Sequence, residues 1–418
     1  MKLVHAADLH VDSPLVGLER YEGAPTERIR QASRRALENL VALCLAERAS
    51  LLLLAGDVFD GDWRDYATGL FFARQMKLLG EAGVQVVMVR GNHDAASHMS
   101  RALELPSNVH ELASRSPETR IFDELGVAVH GQSFPGRSVE QDLTARYPLP
   151  TPGLFNIGLL HTSLDGREGH DSYAPTTSAT LASKGYDYWA LGHVHAREVV
   201  AQDPWIVFPG NLQGRHVREA GPRGATLVEV DAGRVVAVEA RTLDVVRFAV
   251  ASVDLGAVDM ASGHDFVDVA RARLADAHVA AEGRLCVVRI VAKGAGRAHA
   301  ALGGDPERWE AELRRAANEL DGVWLERLVV RSTLPGSAAD FALRPDVVGQ
   351  LLRALGEARA DPARLAELFD DFAELRRKLP AELRERGFRL DAPEHLVEPL
   401  GDVEGLLLSR LLGPGGEG

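Results

Sequence analysis

Five short clusters of polar residues contain side chains of the types that bind metal ions in proteins. The side chains in them that could act as ligands are Asp8, His10, Asp57, Asn92, His161, His193 and His195. Imidazole, carboxylate and amide ligands without a thiolate suit Mn²⁺, Fe²⁺ or Zn²⁺ better than Ca²⁺ or an iron–sulfur cluster. Because seven ligands are too many for one ion, we expect two divalent ions that share Asp57. Such two-metal sites hydrolyse phosphate esters.

His93 lies next to the predicted ligand Asn92 and is left for proton transfer. We expect His93 to face the leaving-group oxygen, where it would donate a proton or stabilise negative charge. We expect Asp94 to orient this imidazole and keep it protonated. Asp60 is a further candidate, as a group that contacts the substrate or supports a metal ligand. Each of these residues alone would more often be structural, and the combination of clusters is what indicates a catalytic site.

Each cluster directly follows a short apolar segment that predicts a β-strand. These strands are expected at residues 3–7, 51–55, 84–89, 155–160 and 188–191. Further strands are expected at 128–131 and 205–208, a β-hairpin at 225–240, and amphipathic helices at 26–48 and 66–82. This alternation predicts an α/β fold. Because ligands bind beyond the carboxyl ends of strands in α/β sheets, we expect the five clusters to converge in one crevice.

The pattern changes near residue 243, which predicts a chain of three parts. Residues 1–242 form the α/β domain that carries the clusters. Residues 243–335 alternate strands and helices in the manner of a small α+β domain. Residues 336–418 are mostly helical, with helices expected at 363–379 and 403–412. This last region either binds a partner or packs on its own domain.

The bulk composition is that of an ordinary globular protein, with 46% hydrophobic and 26% charged residues. A net charge of −13 argues against a protein that coats nucleic acid non-specifically. No apolar run is long enough to cross a membrane, and the N-terminus lacks the features of a signal peptide. The two cysteines, Cys44 and Cys286, lie far apart in the chain, as expected in a reducing cytoplasm. We therefore expect a cytoplasmic protein without a membrane partner.

The clusters resemble the motifs of a known family. DLH, GDVFD, GNHD, the histidine after GLL and GHVH are similar to the five motifs of the calcineurin-like metallophosphoesterases, over about residues 1–240. HAADLHVDSPL, GYDYWALGHVH and FPGNLQGRH further resemble the bacterial SbcD/YhaO-type DNA repair exonucleases. The resemblance implies a β-sandwich flanked by helices, followed by a cap domain that helps to select DNA. It also implies C-terminal helices that dock on an SbcC-type coiled-coil ATPase.

The resemblance also implies which residues bind each ion, with Mn²⁺ as the favoured metal. One ion would bind Asp8, His10, Asp57 and His195. The other would bind Asp57, Asn92, His161 and His193. His93 matches the catalytic histidine of the family, with Asp94 supporting it, whereas some relatives carry a DNA-contacting histidine where Asp60 stands. Relatives often form homodimers through the phosphoesterase domain, so a homodimer is a further expectation.

Three functional hypotheses follow. The leading one is a metal-dependent DNA exonuclease or endonuclease that acts in DNA repair. The first alternative is a small-molecule phosphodiesterase or phosphatase, which would not normally need the long region after residue 243. The second is a non-catalytic scaffold subunit that binds DNA ends. The complete set of ligands and the presence of His93 argue against that scaffold.

Overall fold

The computed structural model describes residues 1–13, 25–61, 66–96, 103–166, 173–335, 338–371, 373–378 and 395. The chain divides into two compact units. The first comprises Met1–Ala249 and Ala281–Val287, and the second Val250–Ala280 and Val288–Gly418. Neither of the predicted domain limits, at 242/243 and 335/336, is tested by this division, and both stay predictions.

Two six-stranded mixed sheets form the centre of the first unit. The strands of one sheet are β1 (Lys2–Ala6), β2 (Leu51–Ala55), β3 (Gln85–Val89), β4 (Val109–Glu111), β11 (Gly224–Asp231) and β12 (Arg234–Thr242). The strands of the other are β5 (Glu118–Phe122), β6 (Val127–Gly131), β7 (Phe155–His161), β8 (Tyr188–Gly192), β9 (Glu198–Gln202) and β10 (Trp205–Phe208). The first sheet has the order β12-β11-β1-β2-β3-β4, and the second has the order β5-β6-β7-β8-β10-β9.

The core of the first unit lies between these two sheets and beneath the helices that cover them. In β2, Leu51 and Leu53 pack in the cluster between the sheets, whereas Leu52 and Leu54 pack on the helix side. A continuous apolar run is what a strand covered on both faces requires. Each of these leucines is fully buried, which contributes roughly 1.5–3 kcal/mol by removing its side chain from water.

Helices cover the outer faces of the sandwich. The helices of the first unit are α1 (Thr26–Arg30), α2 (Ala32–Ala46), α3 (Ala67–Glu81), α4 (Asn92–Ala96) and α5 (Ser178–Ser183). The helix predicted at 26–48 is interrupted at Gln31. The buried side chains Leu37 and Leu40 of α2 and Phe72 and Met76 of α3 pack in the cluster on one sheet. The predicted α/β sandwich flanked by helices is confirmed.

Parallel pairing aligns the carboxyl ends of neighbouring strands within each of the two sheets. β1, β2 and β3 run parallel, with Leu3 opposite Leu51 and Leu51 opposite Gln85. β7 and β8 also run parallel, with His161 opposite Gly192. The carboxyl ends of neighbouring strands therefore lie side by side within each sheet.

A third sheet has three strands, in the order β13-β14-β15. These strands are β13 (Val246–Asp254), β14 (Leu285–Lys293) and β15 (Val323–Val330). The helices of the second unit are α6 (Gly263–Ala280), α7 (Ala298–Gly304), α8 (Pro306–Asn318), α9 (Ala338–Ala342), α10 (Val347–Ala360), α11 (Pro362–Asp371) and α12 (Ala373–Lys378). Asp305 begins α8, since its carboxylate accepts a hydrogen bond from the Arg308 N–H and Pro306 occupies the first turn.

The helix predicted at 363–379 falls on α11 and α12. Its last residue and the helix predicted at 403–412 lie outside the described residues. In the part of the chain that the structure describes, no helix is long and apolar enough to span a bilayer.

Candidate metal centre

The seven predicted ligands follow the carboxyl ends of five strands. Asp8 and His10 follow β1, Asp57 follows β2, Asn92 follows β3, His161 ends β7, and His193 and His195 follow β8. Neighbouring connections are joined by backbone hydrogen bonds, from Asp8 N to the Gly56 carbonyl (3.0 Å) and from His10 N to the Asp57 carbonyl (3.1 Å). The His193 N–H donates to the Asp8 carboxylate at 3.0 Å, which ties the second sheet to the first.

The backbone at these positions is strained. Asp8, His10, Asp57 and His193 have φ values of 51°, 44°, 51° and 102°, in the left-handed region that non-glycine residues rarely adopt. Such conformations persist only where the surrounding structure enforces them, and they concentrate at functional sites. This backbone conformation directs the four side chains toward a common space beyond the carboxyl ends of the strands.

Two glycines allow the connections to approach closely. A Cβ at Gly91 would lie 2.2 Å from Oδ1 of Asp57, and a Cβ at Gly192 would lie 1.9 Å from the Ala55 carbonyl oxygen. Any side chain at either position would therefore displace the backbone or a ligand.

The first group of ligand atoms comprises Asp8, His10 and His195, which lie within 4.8 Å of one another. Nε2 of His10 is 3.4 Å from Nε2 of His195, and that nitrogen is 3.8 Å from Oδ1 of Asp8. Nδ1 of His10 is buried and forms no hydrogen bond with any described residue. Three ligand atoms thus converge on a space of the size that one cation needs.

The second group comprises Asp8, Asp57 and His161, and Asn92 lies beside it. Nε2 of His161 is 3.5 Å from Oδ2 of Asp57 and 3.0 Å from Oδ1 of Asn92. Nδ1 of His161 is 2.9 Å from the Ala55 carbonyl, which can only accept a hydrogen bond. Nδ1 therefore carries the proton, and Nε2 presents a lone pair. The His193 ring is 5.1 Å from the His161 ring, between centroids.

Burial determines the electrostatics of these ligands. It raises the pKa of the Asp8 carboxyl and raises the pKa of Asp57 to about 6. It lowers the pKa of His10 and of His161, so both imidazoles are neutral and able to coordinate. Buried carboxylates in this position need a positive charge beside them. The residues present therefore fit divalent cations. Because Asp8 belongs to both groups, the role of Asp57 as the shared ligand stays a prediction.

His93 lies at the edge of the ligand groups and is 39% exposed. Its Nδ1 is 2.6 Å from Oδ1 of Asp60, and this hydrogen bond raises the pKa of the imidazole. Burial alone would raise the pKa of Asp60, but hydrogen bonds from His93 and Ser13 lower it to about 2. The hydrogen bond therefore favours the pair of an imidazolium and a carboxylate.

Asp94 is hydrogen-bonded to the backbone around the ligands. Its carboxylate accepts hydrogen bonds from the backbone N–H groups of Val58 (3.2 Å), Phe59 (2.8 Å) and Gly91 (3.2 Å). Burial raises the pKa of Asp94 to about 7. In this geometry Asp60 holds the imidazole of His93 and Asp94 joins the connections after β2 and β3, and the expectation that Asp94 also orients His93 stays a prediction.

Two residues of the centre were missed by reasoning from the sequence. Oε1 of Glu219 is 2.7 Å from Nδ1 of His195, so the proton lies on Nδ1 and Nε2 is left to coordinate. Arg215 is 3.3 Å from Oε1 of Glu219 and 3.6 Å from Oδ2 of Asp60. Arg215 lies within the sequence FPGNLQGRH after β10, and Glu219 follows it closely. The similarity of this sequence to known nucleases was the one signal that could have pointed to these two residues.

Two family matches agree with this geometry. Residues 1–197 match the family described as calcineurin-like phosphoesterase. Residues 248–333 match the family described as the middle domain of the metallophosphoesterase YhaO.

Individual proteins are also similar to this chain. It is 38% identical over 239 residues to the metallophosphoesterase YhaO of Bacillus subtilis (strain 168), which covers 56% of this chain and 59% of that protein. It is 27% identical over an alignment of 452 residues to the DNA double-strand break repair protein Mre11 of Methanopyrus kandleri, covering 100% of this chain and 88% of that protein. It is 33% identical over 134 residues to the SbcD component of the nuclease SbcCD of Rhodobacter capsulatus, covering 31% of this chain and 27% of that protein.

Proposed function

We propose, from the match of residues 1–197 to the calcineurin-like phosphoesterase family, that the protein is a metal-dependent nuclease that hydrolyses phosphodiester bonds of DNA. The observation that carries the proposal is the arrangement of His93. The half-buried imidazole of His93, held by Asp60, stands beside two groups of largely buried side chains of metal-binding type. Hydrolysis of a phosphodiester is catalysed by metal ions that activate water and the phosphate group, and by a general acid that protonates the leaving oxygen.

The metal ligands are assigned to two divalent ions. Asp8, His10, Asp57 and His195 hold one, and Asp57, Asn92, His161 and His193 hold the other. Such ions, when bound, supply Lewis-acid activation of water and of the phosphate group. The mixture of imidazole, carboxylate and amide ligands favours Mn²⁺, with Fe²⁺ or Zn²⁺ as alternatives.

His93 acts as the general acid. Its Nδ1–H donates to Oδ1 of Asp60, so Nε2 is the nitrogen that gives a proton to the leaving oxygen of the substrate. The hydrogen bond to Asp60 raises the pKa of His93, which favours the protonated form that a general acid needs. Asp94 supports His93 by fixing the backbone on either side of it, through hydrogen bonds from the N–H groups of Val58 and Gly91.

DNA is proposed as the substrate on the strength of the relatives. One is named as a double-strand break repair protein and another as part of a nuclease. The name of the first relative supports a role in DNA repair. We further propose a cytoplasmic location, an SbcC-type coiled-coil ATPase as a partner and a homodimer as the assembly. The region 336–418 is the proposed docking region for that ATPase.

One assay tests the proposed function. The protein is stripped of metal, reconstituted with Mn²⁺, and incubated with labelled single- and double-stranded DNA and with an aryl phosphodiester, with chelator in parallel. Metal-dependent cleavage of DNA supports the proposal. Cleavage of the aryl ester alone would show a small-molecule phosphodiesterase. DNA binding without cleavage of either substrate would show a scaffold.

A further inference from the structure

Asp60 has two imidazoles within reach. Its Oδ1 is 2.6 Å from Nδ1 of His93 and 3.8 Å from Nδ1 of His10. The nitrogen of His10 is buried and forms no hydrogen bond with the described residues. A small rotation of the Asp60 carboxylate would therefore let it accept from His10 instead of His93. The hydrogen bond between Asp60 and His93 therefore depends on contacts that prevent this rotation of the carboxylate.

The opposite oxygen of this carboxylate is held from the other side. Oδ2 of Asp60 accepts a hydrogen bond from the Ser13 hydroxyl at 2.5 Å and lies 3.6 Å from a terminal nitrogen of Arg215. The other terminal nitrogen of Arg215 is 3.3 Å from Oε1 of Glu219. Glu219 in turn accepts hydrogen bonds from the Arg215 backbone N–H at 2.7 Å and from the Asn211 amide at 3.0 Å.

The two terminal nitrogens of Arg215 are thus paired with different carboxylates, those of Asp60 and Glu219, while its buried Nε forms no hydrogen bond with the described residues. Its side chain is 20% exposed, and a guanidinium is planar and charged at every accessible pH. An ion pair between partly buried groups with fixed geometry restrains both partners more than an exposed pair does. The contacts form a continuous chain from the proton donor His93 to His195, through Asp60, Arg215 and Glu219.

We propose that Arg215 is a positioning residue: it fixes the Asp60 carboxylate so that Oδ1 stays on His93 and does not turn to His10. This inference rests on the proposed function, in which His93 is the acid. The proposed role differs from that of an arginine that binds the phosphate of the substrate directly. A positioning residue changes the rate of the chemical step, whereas a phosphate ligand changes the affinity for the substrate.

The first test compares Arg215→Gln and Arg215→Lys with Arg218→Gln, an exposed arginine of the same segment that serves as the matched control. Arg215→Gln is expected to lower kcat on DNA by about tenfold to a hundredfold, the range typical for a residue that supports a reacting group, with KM nearly unchanged. Arg215→Lys is expected to retain more activity than Arg215→Gln but less than the wild type, because the lysine ammonium is charged yet can pair with only one carboxylate at a time. Thermal denaturation confirms that each variant is folded.

The second test is a double-mutant cycle with Asp60→Asn. If Arg215 acts through Asp60, then Arg215→Gln adds little to the loss that Asp60→Asn already causes. A loss that appears in KM, or two losses that multiply in the double variant, would overturn the proposal. So would an Arg215→Gln variant with the activity of the Arg218→Gln control.

A third readout needs no activity. In the metal-free protein, the hydrogen-bonded Nδ1–H of His93 should give a downfield proton resonance that is absent in His93→Gln. That resonance should be lost or shifted in Arg215→Gln and kept in Arg218→Gln. An unchanged resonance in Arg215→Gln contradicts the positioning role. Absence of cleavage by the wild-type protein, with this result intact, contradicts only the proposed function.

Discussion

Oε1 of Glu219 lies 2.7 Å from Nδ1 of His195, although the two residues are separated by two strands and the loops around them. Burial alone would raise the pKa of Glu219, but the hydrogen bond with His195 and the charge of Arg215 hold it far below its usual range. The carboxylate is therefore ionised whenever His195 coordinates a metal. A partner of this kind fixes the ring and makes the opposite nitrogen a better ligand.

The first prediction concerns this contact. Glu219→Gln should lower the affinity for Mn²⁺ by about tenfold to a hundredfold, because the amide cannot fix the His195 tautomer as a carboxylate does. Isothermal titration of Mn²⁺ into metal-stripped protein measures the change. The exposed Glu140→Gln is the control and should bind as the wild type does. Equal affinities for the two variants would show that Glu219 does not support the ligand.

The second prediction concerns the proton donor. His93→Ala should keep metal binding and lower kcat on DNA by about 10²–10⁴-fold, the usual contribution of a general acid. The loss should be much smaller for a nitrophenyl phosphodiester, since nitrophenolate leaves without protonation. A rate on DNA that does not change, or an equal loss on both substrates, would refute the role of His93 as an acid.

The third prediction concerns the shared ligand. Asp57→Asn should lose most of its metal at both positions, because the carboxylate is expected to contact both ions and the amide carries no charge. Elemental analysis after reconstitution with Mn²⁺ gives the number of ions per chain. Retention of both ions would disprove the bridge, and loss of one ion would place Asp57 at a single position.

The fourth prediction concerns pH. Burial raises the pKa of Asp57 to about 6 and that of Asp94 to about 7, whereas unfolded aspartate titrates at about 3.9. Between these values the two carboxyls bind more protons in the folded protein than in the unfolded chain, so their contribution to the stability of the metal-free protein should fall as the pH rises from about 4 to 7. The lowered pKa values of the buried imidazoles of His5, His10 and His161 act in the opposite direction. The expected decrease in the carboxyl contribution is on the order of a few kcal/mol.

Denaturation with urea at pH 5 and at pH 8 measures this dependence. With chelator, the stability of the wild type relative to Asp94→Asn should be lower at pH 8 than at pH 5, because only the wild type carries the carboxyl whose pKa is raised. With Mn²⁺, the stabilisation should be larger at pH 8, where the carboxylates are ionised and bind the metal. A wild type that gains stability relative to Asp94→Asn between pH 5 and pH 8 would contradict the buried-carboxylate description.

The positions of the metal ligands could be predicted because a simple pattern determines them. Asp57 follows a strand that is apolar on both faces, and His161 ends another. Parallel strands bring their carboxyl ends together whatever the intervening chain does. Strands such as β5, with its mostly exposed side chains, could not be predicted, because they lie at sheet edges and lack an apolar run.

The hydrogen bonds that hold the metal ligands in place could not be predicted from the sequence, for a different reason. The start of α4 at Asn92 lets the Asp94 carboxylate accept from the Gly91 N–H, and this turns it toward the backbone. Glu219 reaches His195 through irregular segments whose path depends on tertiary packing. Contacts of this kind have no periodicity, so composition and spacing give no signal for them.

The central claim is that seven side chains hold two divalent ions, and a crystal structure of the Mn²⁺-reconstituted protein with anomalous diffraction data tests it most directly. We predict two anomalous peaks, one within coordination distance of His10 and His195 and the other within coordination distance of Asn92 and His161. Asp57 should contact both. One peak, or peaks away from these side chains, would contradict the account.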